Sequence, residues 1–220
     1  MNPYQDFVNG FDQTLREGRS LPLGGIAPAP RPKLHANAPK ALFFAPHPDD
    51  ECISGGIALR LLREAGMKVV NVAVTQGSKK ERQIERFREL AAACNYVGFD
   101  LVATAPNGLE KINPKTRQTD PGYWAGCVKI ILSILQEHKP RVVICPHDKD
   151  WNSTHIGTHS LVMDALRQMP ADYECYLVET EFWGQMTDPN LMVEIGATDL
   201  ADLIAATTFH VGEVERNPYH

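Results

Sequence analysis

From Lys40 onward, short apolar runs alternate with longer stretches of helical periodicity, and this alternation constrains the fold more than any other feature of the chain. The runs Ala41–Ala45, Val69–Val74, Leu101–Ala103, Val142–Cys145 and Tyr176–Val178 are expected strands. Between and after them, Ile53–Ala65, Glu81–Tyr96, Tyr123–His138, His155–Gln168 and Asp199–Phe209 are expected helices. Gly66 and Gly98 stand where two of these should stop, and Pro140 shortly follows a third. Strands separated by helices call for right-handed βαβ units, so the expected fold is α/β, a mostly parallel sheet with helices on both faces. A chain of 220 residues suits one such domain, placed at 40–220. Residues 1–39 read as an arm. Phe7, Phe11 and Leu15 mark one face of a short helix over 3–17, and the segment from Leu21 to Pro32 is too rich in Pro and Gly for regular structure. The arm is expected to pack across the domain or onto another subunit, and a homo-oligomer is the expected assembly.

Charge and composition exclude several classes of partner. A formal charge of -5 gives no reason to expect nucleic acid or an anionic membrane. No apolar stretch reaches membrane-spanning length and the first residues lack a signal-peptide pattern, so a cytoplasmic location is expected. The five cysteines, Cys52, Cys94, Cys127, Cys145 and Cys175, are scattered and form no C-x-x-C pair, so a metal would have to be held by nitrogen and oxygen.

Ligands of parallel sheets bind beyond the carboxyl ends of the strands, and two polar segments fall there. The first is Ala45-Pro46-His47-Pro48-Asp49-Asp50-Glu51, an imidazole and three carboxylates packed into five residues. Such a cluster repels itself unless a cation, protons or water intervene. The second runs from Pro146-His147-Asp148 to His159, with Ser153 or Thr154 as a helix cap and His155 and His159 one turn apart on a shared face. His47 and Asp50 can face one point, and a histidine of the second segment would complete a three-ligand site with an open position. Asp49 would then stand free beside the metal as a base. Asp-Asp-Glu is also a good helix-capping cluster, and His159 taken alone is as well explained by a satisfied helix histidine.

The residues Pro46-His47-Pro48-Asp49-Asp50-Glu51, Ser54-Gly55-Gly56-Ile57-Ala58 and Thr154-His155 resemble the LmbE-like or PIG-L family of zinc-dependent N-acetylglucosaminyl deacetylases. The likeness continues through Thr75-Gln76-Gly77, Arg86-Phe87-Arg88-Glu89-Leu90 and Pro140–Ile144 to His210, and so spans most of residues 40–212. It implies a Rossmann-like fold and removal of an acetyl group from an N-acetylated small molecule, a sugar conjugate in most members. By position it implies His47, Asp50 and His155 as ligands of Zn2+, Asp49 as general base, and His210 near the site. The same donor set suits ferrous iron or another divalent metal. One departure stands out: the family's second motif usually begins with histidine, and here that position is Asn152, which can donate a hydrogen bond but not a proton. His159, Asp150, His210 or Asp49 itself would then supply the leaving amine's proton.

Arg86 matches a family arginine that can face the substrate, and equally suits an exposed helix position. Asn107, before Gly108, would touch sugar hydroxyls or make a plain tight turn. Trp151 lies inside the second segment and is the best placed of the tryptophans for stacking on a sugar. Cys52 abuts carboxylates that raise its pKa, which argues against a nucleophilic thiolate. Hydrolysis or hydration of a non-sugar substrate on the same scaffold is one alternative. A non-catalytic nucleotide-binding module is another, but no Gly-x-Gly-x-x-Gly or Walker pattern follows any strand.

Overall fold

In a computed structural model that describes residues 2–218, the strands β1 (Lys40–Ala45), β2 (Lys68–Ala73), β3 (Asp100–Ala103), β4 (Val142–Pro146) and β5 (Tyr176–Thr180) form one sheet in the order β3-β2-β1-β4-β5. Every neighbouring pair is parallel. The chain moves outward from β1 to β3, then crosses back to place β4 on the other side of β1. The sheet is covered on both faces, which explains why β1 reads as an unbroken apolar run. Phe43 and its alternate neighbours Ala41 and Ala45 join Leu59, Leu90 and Leu203 on one face. Leu42 and Phe44 point the other way, into Ile131, Leu135 and Leu161.

The helices after β1 are α2 (Asp50–Ile53) and α3 (Gly56–Arg63), where a single helix was expected. The break at Ser54-Gly55 is steric and polar. A Cβ on Gly55 would lie 2.2 Å from the Glu51 carbonyl oxygen, and Ser54 Oγ donates back to the Asp50 carbonyl at 3.0 Å. Helix α4 (Gln83–Val97) ends at Gly98, with φ +88°, as expected. Two short helices were not anticipated, α5 (Pro114–Thr119) ahead of α6 (Pro121–His138), and α9 (Val211–Val214) after α8 (Ala197–Thr207). Helices α5 and α6 begin alike: Asn113 and Asp120 accept from the backbone N–H of Thr116 and Tyr123 at 2.9 and 3.1 Å, each followed by a proline at the first helical position.

Helix α7 (Ser153–Leu166) is capped by Asn152, whose Oδ1 accepts from Thr154 N at 2.8 Å, rather than by Ser153 or Thr154. Only an oxygen ahead of the helix can reach its unpaired N–H groups, and Asn152 holds that place in extended backbone. In the arm, α1 (Gln5–Gly18) buries no residue, and Phe7, Phe11 and Leu15 are all exposed. Residues further along do cross the domain. Gly24 N donates to Thr208 Oγ1 at 3.1 Å, Ala29 N to the Tyr96 carbonyl at 3.2 Å, and Arg31 to Asn95. Among the described residues, no helix is long and apolar enough to cross a membrane.

Candidate metal centre

Strand order reverses between β1 and β4, and the carboxyl ends of these adjacent strands deliver the two polar segments to one place. The first loop is fixed from the β2 side, where Thr75 N and Oγ1 donate to the Pro46 carbonyl at 3.1 and 2.7 Å. Three residues on, Asp49 takes φ +107°, a conformation that costs a non-glycine residue of order 1–3 kcal/mol. Its surroundings hold it there. Asp49 N donates to Glu51 Oε2 at 3.0 Å, and the Asp49 carbonyl accepts from Cys52 N and Ile53 N at 3.0 and 3.1 Å. Strain at this residue turns successive side chains apart, so that Asp50 faces back toward His47.

Three ligand atoms converge there. His47 Nδ1 lies 3.2 Å from His155 Nε2, and Asp50 Oδ2 lies 3.4 Å from each of them. Asp50 and His155 are buried, while His47 is partly open. A tetrahedral ion with bonds of about 2.0–2.1 Å sets its ligands about 3.3–3.4 Å apart, and the three separations fit that spacing. Burial alone would raise the Asp50 carboxyl, but hydrogen bonds from His155 and His47, and their charge, outweigh it and hold the group well below the usual carboxylate range. Burial likewise disfavours a charged His155, and Asp50, with Asp150, reverses the direction and pushes it up. A proton or a metal cation satisfies such a pocket equally. Two histidines and a carboxylate suit zinc, and ferrous iron as well.

Over residues 42–166 the chain matches the family model described as PIG-L, GlcNAc-PI de-N-acetylase. The chain belongs to the PIG-L family. Solved structures with the same fold include N,N'-diacetylchitobiose deacetylase from Pyrococcus horikoshii, at 20% identity and a TM-score of 0.59, covering 97% of this chain and 82% of that one. A conserved protein from Thermus thermophilus aligns at 22% identity and 0.60 over 82% of each chain. A 4-carboxy-2-hydroxymuconate hydratase from Pseudomonas putida aligns at 15% and 0.55, over 82% of this chain and 89% of that one. No curated protein sequence matches the chain.

Behind the three converging ligand atoms lies a layer of buried groups. Asp150 Oδ1 sits 3.4 Å from His155 Nδ1, the nitrogen turned away from the centre, and also accepts from Asn152 N at 2.8 Å. Its other oxygen accepts from Trp183 N and Gly184 N at 3.0 and 3.2 Å. A carboxylate behind a ligating imidazole fixes its tautomer and orientation. His210 is buried on the far side of the first loop, its Nε2 2.7 Å from Glu51 Oε1. Glu51 thus joins His210 to Asp49, accepting from Asp49 N through its other oxygen. His159 turns toward β5 and pairs with Glu179 at 2.7 Å. Asn152 has committed its side-chain oxygen to the α7 cap, which leaves its NH2 group as the donor.

The remaining expected residues are spread around the rim. Arg86 leans over the first loop and donates to the Pro48 carbonyl at 3.0 Å. Asn107 is exposed in the turn before Gly108, which bridges to Thr75. Trp151 is 78% exposed, a bare indole face beside the second segment. Sequence reasoning missed the supporting role of Asp150 and the burial of Gln76. For Asp150 the readable signal was its place in an Asp-x-Asn turn just ahead of the helix carrying a ligand. A second grouping of ligand atoms, Glu51, Cys52 and His210, is wholly buried. Burial first, and then the Glu51 charge, push the Cys52 thiol well above its ordinary pKa, in line with the expectation that it is no nucleophile.

Proposed function

We infer that this PIG-L family member is a metal-dependent hydrolase that removes the acetyl group from an N-acetylated small molecule of the N-acetylglucosamine type. The observation that carries the reading is the convergence of His47, Asp50 and His155 at the switch point, with Asp49 held beside them in a strained turn. When bound, the metal supplies Lewis acidity that polarises the amide carbonyl and lowers the pKa of water.

The chain's own residues do the rest. Asp49 takes the proton of the attacking water as the carbon–oxygen bond forms. Cleavage of the carbon–nitrogen bond then needs a proton on the departing amine. Asp150 has both oxygens engaged behind His155, His210 is bonded to Glu51, and His159 is bonded to Glu179. These placements favour Asp49 as the group that returns its proton to the amine, releasing acetate and restoring the carboxylate. The Asn152 NH2 group serves as a hydrogen-bond donor to the developing oxyanion. Trp151 offers its exposed face to the sugar ring, with Asn107 and Arg86 at the substrate's edge.

Acetate release from a panel of N-acetylated sugars by the zinc-loaded protein tests the reading. Asp49→Asn is expected to lose about 10²–10⁴-fold in kcat, the usual contribution of a positioned general base, while keeping its metal. Full activity in that variant would overturn the assignment of Asp49. A hydratase on the same scaffold would turn over an unsaturated acid without releasing acetate, so the assay separates the two chemistries.

A further inference from the structure

The loop after β2 and the residues following α9 enclose a second depression that shares the His47 side chain with the metal centre. It has a volume of about 200 Å³, several times the roughly 30 Å³ that a liquid water occupies. Among the described residues four cations line it, Lys79, Arg82, Arg86 and Arg216, and no carboxylate does, although the chain as a whole is acidic. Much of the cationic lining is braced from behind. Arg82 donates to the Gly212 carbonyl at 2.9 Å and Arg86 to the Pro48 carbonyl at 3.0 Å. One carboxylate, Glu213, serves both Arg86 and Arg216. Gly77 makes the arrangement possible. It takes φ +80°, and a Cβ there would lie 2.3 Å from Arg86 Nη1, so any side chain would displace the guanidinium.

The floor of the depression carries an independent sign of a ligand. Gln76 is 1% exposed, lines the cavity, and neither its side-chain oxygen nor its nitrogen has a hydrogen-bond partner. A buried amide without partners is costly unless something that enters the cavity supplies them. An amide beside several cations matches an oxyanion: the NH2 group donates to one oxygen and the cations neutralise the charge.

We propose that this depression is an anion subsite, and that the N-acetylated substrate carries a carboxylate or phosphate that it binds. The proposal deepens the deacetylase reading and rests on it for what reacts, since the shared His47 wall puts the anion one group's reach from the metal centre. Lys79 and Arg82 meet the charge, the Gln76 amide bonds one oxygen, and Arg86 closes the side nearest the first loop.

Calorimetric binding to the zinc-loaded Asp49→Asn protein, which holds substrate without turning it over, tests this with three probes: N-acetylglucosamine, N-acetylglucosamine 6-phosphate and N-acetylmuramic acid. At least one charged sugar is expected to bind about tenfold or more tighter than the neutral one, the return of one charge-assisted hydrogen bond; which of the two gains more distinguishes phosphate from carboxylate. Adding Lys79→Gln and Arg82→Gln is expected to erase that preference, and adding Lys79→Arg alone to keep it. Thermal melts of each variant confirm folding. Equal affinity for all three probes, or a preference that survives the double substitution, would overturn the subsite. A charge preference that follows Lys79 and Arg82, alongside zinc-loaded wild-type protein that releases no acetate from any of the three probes, would uphold the subsite and sink the deacetylase reading instead.

Discussion

Two clusters of metal-ligating side chains sit about the first loop, and they behave in opposite ways. His47, Asp50 and His155 stand 3.2–3.4 Å apart, with one member partly open to solvent. Glu51, Cys52 and His210 are closed to solvent, and Glu51 and His210 meet at 2.7 Å, the length of a direct hydrogen bond. The first spacing suits an ion between the groups; the second has already consumed it with a proton. Each cluster joins histidine to a carboxylate, so residue type alone does not say which one holds an ion. Separation and access do.

Removing a ligand from the open cluster should have the largest effect. Asp50→Ala takes away one of three donors together with the group that accepts from His47 N at 2.8 Å. Acetate release should fall to background and bound metal, measured by atomic emission after dialysis, should be lost. Retention of full metal content would break the comparison at its root. A smaller loss is expected from Asp150→Asn, which leaves the three donors intact but replaces the carboxylate behind His155. Groups in that position are worth about 10–100-fold in metal affinity, readable by competition with a chelator.

The alternation of apolar runs made the sheet and its faces legible, because a strand covered on both sides has no choice but to be apolar throughout. The open cluster was legible for a related reason: His47 and Asp50 are three residues apart, and both polar segments follow strands. The closed cluster was not, because His210 reaches Glu51 across 159 residues and only the packing of the chain's end beneath the first loop joins them. The start of α5 is written as Asn113-Pro114, a turn signal that doubles as a helix cap only once a helix follows it. Asn152 was legible as a donor, but its cap on α7 was not, since the cap depends on the extended backbone just ahead of the helix.

Disturbing the closed cluster should affect stability ahead of metal binding. Glu51→Gln leaves His210 buried without its charge partner, and the cost should be about 1–3 kcal/mol in urea unfolding. The pH dependence gives the sharper reading. Burial disfavours a charged His210, but the Glu51 charge and hydrogen bond outweigh it and raise the imidazole above its ordinary value. The folded chain therefore holds that proton more tightly than the unfolded chain. Its contribution is complete below about pH 6.5, the unfolded value of histidine, and is lost as pH rises through the raised folded value. The gap between wild type and Glu51→Gln should be widest in mild acid and narrow in base. A gap that widens with pH would mean that the pair is not held as an ion pair.

The smallest effect is expected at Cys52, and it is the most direct test of whether the closed cluster ever takes a metal. The thiol donates to Glu51 Oε1 at 3.1 Å and is packed among the core of the α3 and α4 face. A thiol binds metal as its thiolate, and both burial and the neighbouring carboxylate oppose that form. Cys52 thus behaves as a small apolar residue, and Cys52→Ala should cost only about 1 kcal/mol, an average core substitution. Metal content and acetate release should be unchanged. Cobalt makes the distinction visible, because a thiolate ligand gives cobalt an intense near-ultraviolet charge-transfer band and a nitrogen–oxygen site does not. Cobalt-loaded protein should lack that band before and after the substitution. A band that vanishes in Cys52→Ala would show the closed cluster to be a second metal site, and would erase the contrast between the two.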